Sequence, residues 1–409
     1  MAFGKLWTIA YRDLLRNQRR SIFTLLAVAL GLALLIVING LVAGMMADAL
    51  QNNIRLKTGH VQLRAPSYEE KKLSLQWQDL LDNPDELAQG INRMSEVNAA
   101  APVLWVGGSL STGDEAAGVQ IFGIDSTSQL YNPIRESLVG GEFLTPDDRG
   151  GIMIGQRLAN SLEVGVGHKI NVALVNADGN ADEANFSIRG LFATGIASYD
   201  ESAVFMPLDK TQAFARTGQR ASAIVVLLNQ QDNTDKVATA IQNSGTTTLT
   251  WRDSNQLFLK MVEMAFSFYV MLDGIVMLIV AVIIANTLLM AVFERIREIG
   301  ILTALGMKSQ HIMIMFLFQA FILGLAGVIV GFALGSIGVA YLANVGIPLG
   351  ASASAAGNTF ALGSTMYAHF VPSTFLWLSF WTLIFVVLAS LYPAQFAARQ
   401  EPVEALRSL

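Results

Sequence analysis

The sequence predicts a membrane protein of four transmembrane α-helices, with a large α+β extracytoplasmic domain inserted between the first and second spans. Three observations carry that prediction. The chain is 53% hydrophobic and only 14% charged, against roughly 25% charged in soluble domains. The shortage is uneven: Ser21–Ala47, Gly274–Phe293 and residues 312–398 hold no Asp, Glu, Lys or Arg, whereas residues 48–264 are charged like a soluble domain. Basic residues gather in short segments beside the apolar runs, and Leu342–Pro372 has none. That asymmetry puts the basic segments on the cytoplasmic side and the Leu342–Pro372 loop outside.

Residues 1–20 read as a cytoplasmic amphipathic helix. Lys5, Arg12, Arg16, Arg19 and Arg20 stand against one acid, Asp13, while Phe3, Leu6, Trp7, Ala10, Tyr11 and Leu14 recur at helical spacing. Such a helix lies on the inner membrane surface, its Trp and Tyr at headgroup depth. A signal peptide is the bland alternative, but Ser21–Ala47 exceeds its roughly 7–15-residue core and is long enough to span. Residues 21–47 are therefore the first transmembrane helix.

Residues 48–264 form the inserted domain. Strand-like runs occur at His60–Leu63, Val103–Val106, Val119–Ile124, Ile170–Val175, Phe186–Phe192, Ala203–Pro207 and Ala223–Leu228. Gly140-Gly141, Gly150-Gly151 and Ala177-Asp178-Gly179 are turn signals between them, and helical patterns appear at Gly155–Leu162 and Thr234–Gln242. The chain then returns inward at 265–293, crosses again at 312–342, makes an outer loop at 343–372 and spans a fourth time at 373–392. A cytoplasmic tail, 393–409, carries Arg399 and Arg407. Asp273, near the outer end of the second span, suits a headgroup-level or intersubunit hydrogen bond. Asn286 lies deeper and can bond across helices. In the third span Gly327, Gly331 and Gly335 make a small-xxx-small ladder for close helix packing, within the bundle or at a dimer seam.

Residues 294–311, between the second and third spans, are the most informative stretch. Arg295 and Glu298 are spaced to pair on one helical face, as are Glu294 and Arg297. Ile296, Ile299, Leu302 and Thr303 line a second, mostly apolar face. Gly306 is placed to stop the helix and Ser309 to cap the next. The segment reads either as a solvated linker whose charges set topology, or as a rigid docking helix for a cytoplasmic partner.

Catalytic patterns are missing from the sequence. The four histidines are isolated, with no HExxH, and Glu69-Glu70 and Asp147-Asp148 read as solvated loop acids. There is no GxxxxGK[ST] and no cysteine, which excludes ATP binding through a P-loop and all thiolate chemistry. A net charge of −5 gives no reason to invoke nucleic acid. The expectation is a non-catalytic chain that holds no cofactor or metal.

Three stretches resemble one family. ERIREIGILTALGMKSQHI (Glu294–Ile312) is similar to the connector of FtsX-like permeases, the membrane subunits of the macrolide-exporter and lipoprotein-releasing class of ABC transporters. YPAQFAARQEPVEALRSL (Tyr392–Leu409) resembles the family's closing motif. LVGGEFLTPDDRGGIMIGQRLANSLEVGVGHKINV with FSIRGLFATG resembles its periplasmic core domain, and GLVAGMMADALQNNIRLKTGHVQL leans toward the lipoprotein-releasing branch. The resemblance implies an inner-membrane, multi-pass permease with both termini cytoplasmic. Its ATPase would be a separate subunit holding ATP and Mg, and a second permease copy or paralogue would complete a dimer among membrane lipids. Glu294, Arg295, Arg297, Glu298, Ile299, Leu302 and Leu305 would seat in the ATPase groove. A continuous helix from the connector through the glycine ladder would carry the stroke to the outer domains. Those domains would act on an amphiphilic cargo, most simply a lipoprotein. The alternatives are drug or peptide efflux through an adaptor, or regulation of cell-wall hydrolases.

Overall fold

The structure is a computed structural model that describes residues 3–16, 18–113, 115–148, 150–242, 245–349 and 363–400. Arg407, the end of the closing motif and residues 350–362 of the expected outer loop lie outside the described residues. The chain divides into two compact units: Met1–Met45, Val262–Ile347 and Met366–Leu409 in one, Met46–Met261 and Pro348–Thr365 in the other.

The chain opens with α1 (Phe3–Arg16) and α2 (Gln18–Asn53), the latter running into a π-turn at Ile54–Thr58. The inserted domain follows. Its strands are β1 (Val61–Arg64), β2 (Val97–Ser111), β3 (Ala116–Ile124), β4 (Leu138–Gly141), β5 (Gly151–Gly155), β6 (Lys169–Val175), β7 (Ala181–Phe192), β8 (Ala203–Pro207), β9 (Ala223–Leu228) and β10 (Thr247–Thr250). Its helices are α3 (Pro84–Asn92), α4 (Asn132–Glu136), α5 (Gln156–Ser161), α6 (Ala197–Ser202), α7 (Leu208–Ala215), α8 (Thr234–Ile241) and α9 (Trp251–Ser254).

Two lobes share one long strand. The first is an antiparallel sheet of order β10-β1-β9-β2 with α3 and α8 joining its strands in the β-α-β, β-α-β manner. Val61, Leu63, Ile224 and Val226 pack in the same core as Ile91 and Val237 of those helices. The second is a closed ring of pairings, β2-β3-β8-β5-β7-β6 and back to β2. Leu110, Ile121, Ile154, Val172, Phe186, Ile188 and Val204 fill this barrel, each large apolar side chain worth about 1.5–3 kcal/mol on burial. Strand β2 serves both lobes, pairing with β9 over Val97–Val103 and with β6 over Gly108–Ser111. Gly108 allows that second pairing, because a Cβ there would fall 2.7 Å from the Ala173 carbonyl oxygen.

Several expectations need correction. The strand expected at Val103–Val106 is far longer, since partners on both edges override the weak strand preference of Ala99–Ala101 and Gly107-Gly108. Gly140-Gly141 belongs to edge strand β4 rather than a turn, with Gly141 at φ +76°. Gly151 opens β5, a short buried strand flanked by glycines.

The remaining helices are α10 (Gln256–Glu294), α11 (Ile296–Ala304), α12 (Ser309–Val345) and α13 (Pro372–Ala398). Among the described residues four helices are long and apolar enough to cross a membrane: α2 with its π-turn, α10, α12 and α13. The glycines of α12 face α2. A Cβ on Gly327 would lie 2.7 Å from the Val28 Cβ, on Gly331 2.7 Å from the Ala29 carbonyl oxygen, and on Gly335 2.8 Å from the Ile36 Cβ. Helix α10 buries one face, with Met277, Val280, Ile284, Leu288 and Ala291, and exposes the opposite one. Asp273 accepts from the Asn39 amide at 3.1 and 3.2 Å, a bond within the chain rather than between subunits. Asn286 lies exposed and makes no side-chain hydrogen bond among the described residues. On α2, Gly40 and Gly44 form a notch for the segment before α13: the His369 amide donates to the Gly40 carbonyl at 2.9 Å, and a Cβ on Gly44 would fall 1.9 Å from the Tyr367 carbonyl oxygen.

That overlap is with backbone, which cannot swing aside. Gly44→Val is therefore expected to lower the thermal unfolding midpoint of the purified chain in detergent clearly more than Gly274→Val, whose Cβ meets open space. A second expectation concerns pH. His60 Nδ1 accepts from the Leu228 amide at 3.0 Å, and burial, then the charge of Arg55, lowers its pKa. The fold thus favours the neutral ring. Its contribution is intact above the ordinary value of about 6.5 and is lost as pH falls from there toward the lower folded value. The unfolding midpoint should drop on acidification below about pH 6.5, with a shallower drop in His60→Gln.

Candidate functional site

The connector between α10 and α12 folds as α11, set off by a break at each end. Arg295, φ −118° and ψ 14°, interrupts the helix between Glu294 and Ile296. At the other end the Gly306 amide donates to the Thr303 carbonyl at 2.9 Å and the Met307 amide to the Leu302 carbonyl at 3.1 Å. These bonds form a Schellman stop, and Gly306 sits at φ +88°, where a glycine avoids the steric cost of about 1–2 kcal/mol. Lys308, extended at ψ 142°, caps α12 without a side-chain bond. Ser309 is its first helical residue, not its cap. The expected continuous helix from connector to glycine ladder is thus broken between Ala304 and Ser309.

The connector's charges do not pair with one another. Three of them, Glu294, Arg295 and Glu298, reach back to the start of the chain. Arg295 donates from Nη1 to Asp13 Oδ2 at 2.7 Å and from Nη2 to the Asp13 carbonyl at 3.3 Å, and Gln319 of α12 donates to the same carboxylate at 3.1 Å. Glu298 accepts from Arg16 at 2.5 Å and Glu294 from Arg20 at 2.8 Å. The i,i+3 pairs read from spacing, Arg295 with Glu298 and Glu294 with Arg297, are corrected accordingly. Spacing along one helix cannot reveal a better partner hundreds of residues away.

The three links differ in weight. Arg295 is 6% exposed, and removing one member of a buried pair costs roughly 3–5 kcal/mol, toward the lower end here because Asp13 keeps some exposure. The Arg16–Glu298 pair is exposed on both sides, so it contributes little and weakens with salt. The hydrogen bond to Glu298, then its charge, raises the Arg16 pKa further above its already high value. Under the clamp, Ile299 (2% exposed) packs in one cluster with Ala10, Ile312, Met315 and Phe316. Trp7 of α1 meets Phe318 edge-on at 5.4 Å between ring centroids.

The residues singled out in the sequence therefore separate into two sets. Arg295 and Ile299 face inward and hold the connector in place. Arg297 and Leu305 face outward, Leu305 at 81% exposure, while Glu294 and Glu298 are exposed but already paired and Leu302 is half-buried. Sequence reasoning missed outward-facing Ile301, one turn from both Arg297 and Leu305. It also missed the anchors Asp13, Arg16, Arg20 and Gln319; the signal for the first was its being the single acid in a basic helix. An open groove of about 510 Å³ is lined by Thr303 of α11, Ser309, Gln310 and Met313 of α12, and Gln395, Ala398, Arg399 and Gln400 at the end of the last helix. Among the described residues no three His, Cys, Asp or Glu converge as metal ligands.

If the Arg295–Asp13 link holds α11 in place, Asp13→Ala should destabilise the helical unit by roughly 3 kcal/mol and loosen α11, read as faster amide exchange at Ile299 and Leu302. The swap Asp13→Arg with Arg295→Asp should recover part of that protection. Arg16→Ala should leave exchange nearly unchanged.

Two family profiles match. The MacB-like periplasmic core domain matches residues 21–244 and the FtsX-like permease C-terminal domain residues 270–402. The chain is 25% identical over 361 residues to the lipoprotein-releasing system transmembrane protein LolC of Neisseria meningitidis, covering 80% of this chain and 83% of that one. It is 22% identical over 404 residues to the corresponding LolE of Haemophilus influenzae, with 94% of each covered. With the macrolide export ATP-binding/permease protein MacB of Nitrobacter winogradskyi it shares 26% identity over 418 residues, spanning 97% of this chain and 59% of that protein.

Proposed function

The chain belongs to the ABC transporter permeases that carry a MacB-like periplasmic core domain and an FtsX-like C-terminal half, and from that membership we propose that it is the non-catalytic membrane subunit to which a separate ATP-binding subunit docks at α11. ATP and Mg would sit on that partner. Closure of the partner would push on the connector, and the push would reach the outer domains as mechanical work on an amphiphilic cargo, a lipoprotein being the best choice. In this reading two permeases pair, both termini are cytoplasmic and the inserted domain is periplasmic. The basic flanks of the spans and the cation-free loop Leu342–Pro372 support that orientation.

The observation that carries the docking reading is the division of labour on α11. Its inward side is fixed by Arg295 and Ile299, so its outward side, Arg297, Ile301 and Leu305, is presented in one orientation. An exposed Leu and Ile on the same face as a cation suit a protein partner better than water. The lipoprotein reading draws on the relatives named for lipoprotein release, which this chain matches over most of their length. Efflux through an adaptor is the second reading, favoured by the match of nearly the whole chain to a macrolide exporter.

Leu305→Arg is expected to abolish co-purification of an ATP-binding subunit from native membranes while the permease remains folded. Truncating a hot-spot side chain costs about 2 kcal/mol or more, some thirtyfold in affinity. Undiminished recovery of that subunit would refute docking at α11. What else co-purifies separates the two cargo readings: a lipoprotein in one case, a periplasmic adaptor in the other.

A further inference from the structure

We propose that a cavity in the inserted domain, beside the π-turn Ile54–Thr58, binds a phosphate group through Lys57, Arg55, Tyr131 and Trp105. The site does not depend on docking at α11. Its apolar walls come from Trp105 of β2, Phe122 of β3 and Ile134 of α4, and Arg55, Lys57 and Tyr131 supply polar atoms. About 20 Å³ is open to the centres of water-sized atoms, more than the roughly 10–15 Å³ that a whole water fills, so a compact group of a few atoms fits. The turn beside it is a π-helix, a rare conformation often met at functional sites. It abuts β9 so closely that a Cβ on Gly59 would fall 2.6 Å from Val225 Cγ1.

Each polar side chain lining this part of the cavity can donate a hydrogen bond, and none is an acid. Tyr131 and Trp105 are 8% and 4% exposed, yet neither the Tyr131 hydroxyl nor Trp105 Nε1 has a hydrogen-bond partner among the described residues. The Lys57 ammonium, 5.9 Å from the Tyr199 ring centroid, and the Arg55 guanidinium also lack an ion pair there. The acids whose charge reaches Lys57 and Tyr131 are engaged elsewhere. Glu70 accepts from Arg64 at 2.8 Å, and Asp125 from the Thr127 hydroxyl at 2.6 Å. Two cations match the charge of a phosphate monoester, about −1.5 to −2 at pH 7. Both cations keep contact with solvent, so their attraction alone is screened; the buried hydroxyl and indole N–H add the selectivity. An apolar guest would leave all four donors unpaired. A free phosphate ion and the headgroup of an acidic amphiphile share this chemistry.

The test is calorimetric titration of the full chain in neutral detergent with inorganic phosphate and with dihexanoyl phosphatidic acid, dihexanoylglycerol being the uncharged control. Saturable binding of at least one phosphate-bearing probe is expected, and none of the uncharged one. Lys57→Gln and Tyr131→Phe should each weaken that binding about tenfold or more, the worth of one hydrogen bond to a charged group. Lys169→Gln, at an exposed position on β6, should leave it unchanged. Tyr131→Phe keeps the ring that packs edge-on against Phe205, so a loss there reports the missing hydroxyl rather than a failed fold. Equal affinity for the two probes supports the site with the free ion as its ligand, and response to phosphatidic acid alone supports it with a headgroup. Absence of binding by both probes, or binding that survives Lys57→Gln and Tyr131→Phe undiminished, would overturn the site.

Discussion

The helical unit depends on one charge that has left water. Arg295 is buried at the break between α10 and α11, and the cost of desolvating a guanidinium is several kcal/mol unless it is matched. Asp13 matches it with carboxylate and backbone carbonyl, and Gln319 bonds the same carboxylate. Three segments far apart in sequence are thereby tied at one point: the N-terminal helix, the connector and the third span. The Arg16–Glu298 and Arg20–Glu294 pairs lie more open to solvent and add direction more than stability. Apolar packing of Ile299 beneath them closes the joint. This arrangement decides which side of α11 stays exposed.

Absent side chains organise the bundle at other points. Gly327, Gly331 and Gly335 let α12 approach α2 so closely that any Cβ would overlap Val28, Ala29 or Ile36. Gly40 and Gly44 do the same for the backbone before α13. In a membrane, where no hydrophobic force favours helix over lipid, dispersion at such close contacts supplies much of the association energy. Helix α2 is therefore held by glycine contacts toward both α12 and the segment leading into α13. Helix α10 has fewer: a Cβ on Gly274 would meet open space, and the long outer face of α10 carries no such ladder.

The spans were legible because a long run without charge is a signal that no local competitor imitates; the uncharged stretches Ser21–Ala47 and Gly274–Phe293 fall within α2 and α10. In the inserted domain the continuous apolar strands β8 and β9 coincide with their expected bounds, while β4 and β5 hid behind glycine pairs that ordinarily mark turns. Strand β2 was cut short for the same reason. A strand with neighbours on both edges can tolerate Ala and Gly that an isolated one would not. In the connector the choice of residues was readable but their partners were not. Arg295 and Glu298 satisfy the i,i+3 rule equally well whether they pair or not, and only the fold brings Asp13 and Arg16 within reach. Asn286 was visible as a polar residue in a span, yet only the buried faces of α10 show that it points outward.

The two breaks around α11 change how a push on the connector would travel. A continuous helix from connector into third span would transmit force along its own axis. Here the axis is interrupted between Ala304 and Ser309 and again at Arg295, so α11 is a short strut rather than the end of a rod. Its firmest attachment is sideways, through Arg295 and Ile299 to α1 and the first turns of α12. A displacement of α11 would therefore move α1 with it, and Gln319, bonded to the same carboxylate, would pass the movement to α12 one helical layer further in. Coupling of this kind is reciprocal in free energy: a change in the bundle that strains the Asp13 contact must alter how the outward side of α11 is presented. The basic N-terminal helix is then a working part of the joint, with its single acid at the point where the joint is tied.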